Sequence, residues 1–419
     1  MLTVLRRRDF TLLWFAGLVS LIGDWMLIVA LPLTVYKLTG SALATGGVLI
    51  ANKLSALMLG SVAGVFVDRW DRKRTMVVAN LIRGPTLLLL LAVDSAERVW
   101  IVYVVAAATS AVGQFFRPAE NALLPRLVGE DLLVPANALN ALNDNLSRLA
   151  GPALGGVAAA WFGLSGVVAA DATSYVVAAG MIAAIGAPTR PERTSPLDAT
   201  SVTGTVAAVW GEWLAGLRPI RDHPVLRTVF GVFAIASLGE GVMMTAFWIY
   251  IDQALGGGTR EAGWLLSAQA AGGLVGAVLI GSWARTRSPV SLLGWGAIGV
   301  GLIDLMVFNY PAVVPGIWLG LVLMAVGGVP AAAFGTGYTA ALQVATEDAF
   351  RGRVFGALGA TSALFMIGGA AIAGLATERL GAVAVLTIDS LGYIAGGAYA
   401  LRALATGVAR RAREELSAP

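Results

Sequence analysis

Long apolar runs separated by short polar segments recur along the whole chain. About 20 helical residues cross a bilayer core that is about 30 Å thick. None of the runs alternates apolar and polar residues in period two, as the strands of a membrane barrel would. The pattern predicts an all-α membrane protein with twelve transmembrane helices, at 10–36, 41–66, 76–93, 99–116, 137–162, 166–187, 225–251, 261–284, 289–309, 312–340, 355–377 and 382–404.

Composition agrees with this pattern and argues against an enzyme. Hydrophobic residues make up 57% of the chain and charged residues 13%, against about 25% charged residues in soluble proteins. The only lysines are Lys37, Lys53 and Lys73, and none belongs to a phosphate-binding G-x-x-x-x-G-K-[ST] loop. One histidine, His223, and no cysteine leave no ligand set for a zinc site. We therefore expect no catalytic residues, no metal and no cofactor.

Basic residues collect in alternate connecting segments. If the N-terminus is cytoplasmic, most of the 29 lysines and arginines fall in inner segments, as the positive-inside rule requires. This predicts a multi-pass protein of the plasma (inner) membrane with both termini in the cytoplasm. The net charge of +4 then reflects topology and contact with anionic lipid headgroups, and no nucleic-acid partner is expected.

The longest polar segment lies near the middle of the chain, at 188–204. It reads as a linker, and an amphipathic pattern after it predicts a helix on the inner membrane surface. We predict an N-terminal six-helix bundle at 1–187, a cytoplasmic linker with this interfacial helix at 188–224, a C-terminal six-helix bundle at 225–404 and a cytoplasmic tail at 405–419.

The two predicted bundles share sequence. The stretch "SLIGD" at 20–24 matches "ASLGE" at 236–240, and "DATSY" at 171–175 matches "DSLGY" at 389–393. These matches occur in chain order at nearly constant spacing, which indicates two pseudo-symmetric halves of common ancestry. Such halves, with a substrate site between them near the midplane, are typical of secondary transporters.

Four segments resemble motifs of the major facilitator superfamily. "GVFVDRWDRKR" at 64–74 resembles its motif A, with Asp71 where glycine is usual, and "GPALGG" at 151–156 resembles motif C, which marks antiporters. "FFRPAENALLPRLV" at 115–128 and "RGRVFG" at 351–356 are similar to the drug:proton antiporter branch, which includes macrolide, multidrug and siderophore exporters. The resemblance covers the whole chain and implies the major facilitator fold. One departure is the absence of an arginine deep in span four, since Arg117 lies only at its inner end.

The motif A loop gives a hypothesis for a cytoplasmic gate. Asp68 can accept hydrogen bonds from the free N–H groups at the start of a neighbouring helix, and the resemblance implies that this helix is span eleven. The alternative is that the loop only determines topology. The predicted gate residues are Gly60, Gly64, Asp68, Arg69, Arg72, Arg351 and Arg353.

Span five contains the antiporter-like motif. Small residues and a proline let such a helix approach a neighbour closely and flex. Arg148 lies four residues after Asp144, so the two are expected to form an ion pair along the helix. The predicted motif residues are Arg148, Gly151, Pro152, Gly155 and Gly156.

Ionisable residues inside spans are costly and are therefore functional candidates. Four of them share one depth, about 14 residues or roughly 21 Å from the inner ends of their spans. An apolar setting disfavours the ionised carboxyl, so such acids can exchange protons near neutral pH. The alternative is that Lys53 pairs with Asp24 in a structural clamp. The predicted proton-coupling residues are Asp24, Lys53, Glu240 and Asp304.

Soft apolar side chains line the same helical faces and suit lipophilic or cationic compounds. The predicted substrate-binding residues are Trp25, Phe233, Met243, Met244 and Phe247. Asp171 and Asp389, by contrast, open their predicted spans and are expected to cap helix N-termini.

The sequence thus predicts a secondary active transporter that exports an amphiphilic small molecule, such as a drug, macrolide or siderophore, in exchange for protons by alternating access. Its partners would be that substrate, protons and membrane lipids, and a monomer is expected. Three alternatives stay open: a lipid or lysolipid flippase, a proton-coupled importer, and a sensor or scaffold that does not transport.

Overall fold

A computed structural model describes residues 2–67, 69–187, 220, 223–346 and 351–416. This part of the chain is helical and contains no β-strand. After a single turn at Leu2–Leu5, the long helices are α1 (Arg8–Thr39), α2 (Ala42–Val67), α3 (Arg72–Leu88), α4 (Trp100–Val128), α5 (Leu133–Ala183), α6 (Pro224–Gln253), α7 (Thr259–Trp283), α8 (Pro289–Asn309), α9 (Trp318–Ala345), α10 (Arg351–Leu380) and α11 (Ala382–Leu416).

Helix α5 is two membrane spans in one continuous stretch. Its only non-helical residue is Gly163, with φ 65° and ψ −168°, a backbone conformation that essentially only glycine adopts. Eleven helical stretches of the described chain are long and apolar enough to cross a bilayer. Since α5 supplies two of the crossings, the predicted fold of twelve transmembrane helices is confirmed.

Local signals explain where several helices begin and end. Asp71 caps the N-terminus of α3 by accepting from the backbone N–H of Arg74 at 2.9 Å, and Ser288 caps α8 in the same way. Gly40 ends α1 in the left-handed conformation that favours glycine. The tenth span starts later than predicted, at Trp318, because a 3₁₀ turn at Tyr310–Ala312 and a positive φ at Gly316 interrupt the apolar run.

The chain divides into two compact units. One comprises Met1–Val209 and Gly256–Ser267, and the other comprises Trp210–Leu255 and Ala268–Pro419. In the first unit α1 packs chiefly against α5, while in the second α8 packs against α9 and α11. The predicted linker and its interfacial helix, apart from residues 220 and 223–224, lie outside the described residues, so the domain boundaries stay a prediction.

Candidate functional site

An ion pair joins α1 to α3 in the interior of the first unit. The guanidinium of Arg83 donates to both carboxylate oxygens of Asp24, at 3.1 and 3.3 Å. The Tyr175 hydroxyl of α5 donates a short hydrogen bond to the same carboxylate. Arg83 also lies over the Tyr175 ring, 4.2 Å from its centre. Three helices are therefore joined at Asp24.

Asp171 is the second acid of this cluster and is fully buried. It lies two turns beyond the break at Gly163 and not at a helix N-terminus, so the predicted capping role is wrong. Its Oδ1 accepts from the Ser174 hydroxyl at 3.1 Å. A β-carbon on Gly23 would collide with this carboxyl, so only glycine lets α1 pass so close.

The geometry excludes the alternative clamp between Asp24 and Lys53 and corrects the predicted pairing of Asp144 with Arg148. Asp24 pairs with Arg83 of α3 and not with Lys53 of α2. Asp144 lies 3.7 Å from Arg117 of α4 instead of pairing with Arg148 along its own helix. Arg148 instead faces the ring of Trp25, 5.6 Å from its centre. Helical spacing predicts how deep each charged residue lies in the membrane. It does not predict which neighbouring helix that residue faces.

The second unit holds three acids whose charges act on one another. Asp304 of α8 interacts electrostatically with Glu240 of α6 and Asp389 of α11. All three also act on Tyr393, whose hydroxyl donates to the carbonyl of Ala236 at 3.0 Å. Asp389 lies in the third turn of α11 and not at its cap, so its predicted capping role is also wrong.

The two acid clusters occupy equivalent places in their units. Gly23 of α1 packs on Asp171, and Gly239 of α6 packs on Asp389. A second pair of glycines confirms the register.

Gly84 of α3 lies against the carbonyl of Ala172, and Gly301 of α8 lies against the carbonyl of Ser390. The residues before these two glycines therefore correspond, and they are Arg83 and Val300. The second cluster thus lacks the cation of the first and gains an acid, Asp304.

Aromatic side chains lie beside the second cluster. The Phe233 ring is 5.0 Å from that of Tyr338, and Phe334 bridges Tyr338 at 5.9 Å and Tyr393 at 6.4 Å. These rings are half-buried or buried among α6, α9 and α11.

Two of the predicted substrate-binding side chains are buried in the second unit, and the binding role of the set stays a prediction. Phe247 is 1% exposed and Met243 is 9% exposed, and the Phe247 ring packs on Trp248 at 5.4 Å. Both side chains belong to the packed interior of the second unit. Met244 remains half-buried. Phe334 and Tyr338, which lie with Phe233 beside the second cluster, were not among the predicted residues. The sequence of an apolar span does not show which face of the helix an aromatic residue occupies.

Arg83 and Tyr175 were missed for a different reason. An arginine within an apolar run was a signal that the sequence did carry, because a buried charge needs a partner. Tyr175 was recognised only as a marker of the repeat. A test of which acid lies at the level of Arg83 would have suggested the pairing with Asp24.

The antiporter-like motif forms a close seam in the first unit. A β-carbon on Gly155 would lie 2.5 Å from Cα of Met26, and one on Gly151 would collide with Trp25. Pro152 and Gly156 face the first part of α7, where the Thr259 hydroxyl is 3.4 Å from the Gly156 carbonyl. The small residues of the motif thus let the backbone of α5 come into direct contact with the backbones of α1 and α7.

The basic first turn of α3 contacts α4 and the segment after α5 in the first unit. Arg72 donates to the carbonyl of Ala122 in α4 at 2.8 Å, and Lys73 donates to that of Ile185 after α5 at 2.7 Å. Asp68 lies outside the described residues, as do the side chains of Arg351 and Arg353 and the surroundings of Gly64. The gate hypothesis for Gly60, Asp68, Arg69 and these arginines therefore stays a prediction.

A metal site finds no support in the described part of the chain, where no three His, Cys, Asp or Glu residues are grouped to hold an ion. The acids of the second unit are close enough to share an electrostatic field but are not arranged as ligands.

Comparisons with known proteins agree with this architecture. The sequence profile of a family described as transmembrane secretion effector matches residues 1–414. The chain is 28% identical to the multidrug efflux pump Tap of Mycolicibacterium fortuitum, over 85% of this chain and 86% of that one. It is 26% identical to macrolide efflux protein A of Streptococcus pyogenes, over 89% and 90%.

A solved structure shares the fold at low sequence identity. The crystal structure of a bacterial homologue of the iron transporter ferroportin, in an inward-facing state, superposes with a TM-score of 0.74. The match covers 94% of this chain and 98% of that one, at 14% identity.

Proposed function

Because the chain belongs to the transmembrane secretion effector family of the major facilitator superfamily, we propose that it exports an amphiphilic small molecule in exchange for protons by alternating access. The chain is a multi-pass membrane transporter.

The acid cluster of the second unit carries the proposal. Glu240, Asp304 and Asp389 interact electrostatically with one another. The two charged groups that act on Asp304, Asp389 and Glu240, are both acidic. Three negative charges in a half-buried setting are unfavourable without a counter-ion. The cluster lowers this cost by holding a proton or by binding a positively charged substrate, so proton and substrate compete for it.

Competition of this kind couples export to proton entry. When substrate leaves, the acids take protons from the outer side, and when protons leave to the cytoplasm, the site accepts substrate again. Glu240 and Asp304 keep the coupling role predicted from the sequence, and Asp389 joins them. Asp24, which pairs with Arg83, and Lys53 belong to the first unit, and we leave both out of this coupling site of the second unit.

The neighbouring rings support an amphiphilic substrate. Phe233, Phe334 and Tyr338 offer apolar faces next to the acids, and such faces bind both hydrocarbon and cations. Met244 adds an adaptable thioether. A multidrug pump and a macrolide efflux protein among the relatives favour the same class of substrate.

The surroundings of the transporter follow from the charge pattern. We place it in the plasma (inner) membrane as a monomer with both termini cytoplasmic, where its basic loops contact anionic lipid headgroups. Asp68 would hold the cytoplasmic side closed through the start of α10 and open it when the two halves rock.

Proton movement measured in proteoliposomes tests the proposal. With an imposed pH gradient and a pH-sensitive dye, adding a macrolide or a lipophilic cation should trigger proton flux. Glu240→Gln and Asp304→Asn should abolish that flux, because each removes an ionisable group from the cluster. Asp94→Asn is the matched control, since Asp94 is exposed and pairs only with Arg98 on the surface.

Other outcomes would point elsewhere. Substrate movement that is unchanged without a proton gradient would contradict antiport. Transfer of lysolipid across the bilayer, with no proton flux for any compound, would indicate a flippase. Uptake driven by protons in the same direction would indicate an importer, and no transport of any compound would favour a sensor.

A further inference from the structure

The cluster around Asp24 in the first unit brings together two carboxyls, Asp24 and Asp171, and one cation, Arg83. One terminal nitrogen of Arg83 donates hydrogen bonds to both carboxylate oxygens of Asp24. The Tyr175 hydroxyl donates a further hydrogen bond to the same carboxylate. Asp24 is therefore fully compensated. Asp171 also interacts electrostatically with Asp24 and Arg83, but among the described residues the only hydrogen bond to its carboxyl comes from Ser174 on its own helix.

Asp171 is left with an unpartnered oxygen in a closed place. The residue is 0% exposed, and its Oδ2 has no hydrogen-bond partner among the described residues. Gly23 of α1 lies directly against the carboxyl, so α1 covers it on that side. An ionised carboxylate that is buried and unpaired is strongly unfavourable, whereas the protonated acid carries no charge.

A buried donor in the same cluster is also unused. The Nε–H of Arg83 has no partner among the described residues, although Arg83 and Asp171 interact electrostatically. Arg83 thus has a free donor and Asp171 a free acceptor, next to an acid that is already satisfied.

We infer that Asp24 and Asp171 form a proton-binding pair that shares Arg83. In the arrangement seen, Asp171 holds the proton on Oδ2 and Asp24 is ionised beside Arg83. In the second arrangement Arg83 turns its free donor to Asp171, which gives up its proton, and Asp24 takes one. Two acids, one arginine and one proton are neutral in both arrangements, so neither leaves a net charge in the membrane interior.

This site is distinct from the acids of the second unit. The charged and titratable groups that face Asp171 are Asp24 of α1, Arg83 of α3 and Tyr175 of its own helix. Proton binding here does not depend on the proposed function. Only the use of this proton in transport rests on it, and the test below requires no substrate.

Infrared spectroscopy of the purified full-length protein tests the inference directly. A protonated carboxyl absorbs in a C=O stretching region where carboxylates are silent, and difference spectra between variants isolate one group from all others. Near neutral pH, Asp171→Asn should remove one protonated-carboxyl band relative to the parent protein. Asp94→Asn, at an exposed and paired acid, should remove none.

The variant Asp24→Asn tests whether Arg83 is shared between the two acids. In Asp24→Asn the arginine has only Asp171 to pair with, so Asp171 should ionise and the same band should be lost although Asp171 is intact. Gel filtration of each variant in detergent checks that it assembles. The double variant Asp24→Asn with Asp171→Asn leaves Arg83 buried without an acid and should fail this check.

Three results would overturn the inference. The band could be unchanged in Asp171→Asn, which would mean that Asp171 is ionised. It could persist in Asp24→Asn, which would mean that Arg83 is not shared. The double variant could assemble as well as the parent, which would mean that the arginine needs neither acid.

Discussion

At the scale of single residues, Arg83 and Val300 matter most, because they occupy equivalent positions beside equivalent acids. Arg83 neutralises its cluster by pairing with Asp24. Val300 offers no charge, so no arginine faces Glu240, Asp304 and Asp389 from the equivalent position of α8. The difference between arginine and valine at this one position thus decides whether a basic side chain pairs with the acids of the unit.

This difference predicts the effect of Val300→Arg. The new guanidinium should pair with the acids of the second unit and hold them ionised, so substrate-triggered proton flux in proteoliposomes should fall to background. Val300→Met, which adds length without charge, is the matched control and should retain flux. Equal loss in both variants would mean that the position tolerates no larger side chain and would contradict the electrostatic explanation.

Residue pairings were the least predictable part of the site. The depth of Asp24, Glu240 and Asp304 could be predicted, because depth follows from counting residues along a span. It could not give the rotation of each helix or its neighbour, which decided that Asp24 meets Arg83 and that Asp144 meets Arg117. Long-range packing therefore overrode the local i, i+4 rule.

At the scale of helices, the seam between α1 and α5 depends on glycines of the antiporter-like motif. Gly155→Ala should lower the thermal unfolding midpoint in detergent, because its β-carbon meets backbone at 2.5 Å; overpacking of this kind costs about 1–3 kcal/mol. Gly180→Ala is the control, since Gly180 lies in the same helix with open space around it.

The control should be neutral or slightly stabilising, because alanine restricts the unfolded chain more than glycine does. Tryptophan fluorescence during heating measures both variants in one assay. Equal midpoints for Gly155→Ala and Gly180→Ala would show that the seam can open without cost.

Helix positions were predicted well because the physical requirement is simple. A span needs about 20 apolar residues whatever its neighbours are, so all twelve predicted spans overlap a helix, although α4 and α11 continue beyond the predicted ends to Val128 and Leu416. The tenth failed at its start, where Tyr310–Ala312 is apolar enough to continue the run but forms a 3₁₀ turn. Hydropathy alone does not detect such a turn.

At the scale of the whole molecule, the orientation in the membrane is a prediction that can be measured directly. The chain has no cysteine, so a single introduced thiol is the only site for a maleimide. Glu97→Cys, in the exposed segment between α3 and α4, should react with a membrane-impermeant maleimide in intact cells. Thr286→Cys, exposed before α8, should react only after permeabilisation, because the basic loops face the cytoplasm.

The two residues serve as controls for each other. Labelling of Thr286→Cys from outside, with Glu97→Cys protected, would invert the topology and with it the expected direction of export.

The repeat in the sequence anticipated the internal likeness of the units but not the difference between them. Equivalent glycines and acids are visible in the aligned stretches around 20–24 and 236–240. The opposite charge balance became clear only when Gly84 and Gly301 fixed the register of α3 and α8, because no aligned motif covers those helices.

The single break in α5 has a mechanical consequence. Since Gly163 alone interrupts 51 residues of helix, this single residue joins the two spans and no connecting loop lies between them. One arm carries the glycine seam against α1, and the other carries Asp171. We therefore expect a rotation of the first arm against α1 to be passed to the second arm without a loop to absorb it, and so to displace the buried carboxyl of Asp171.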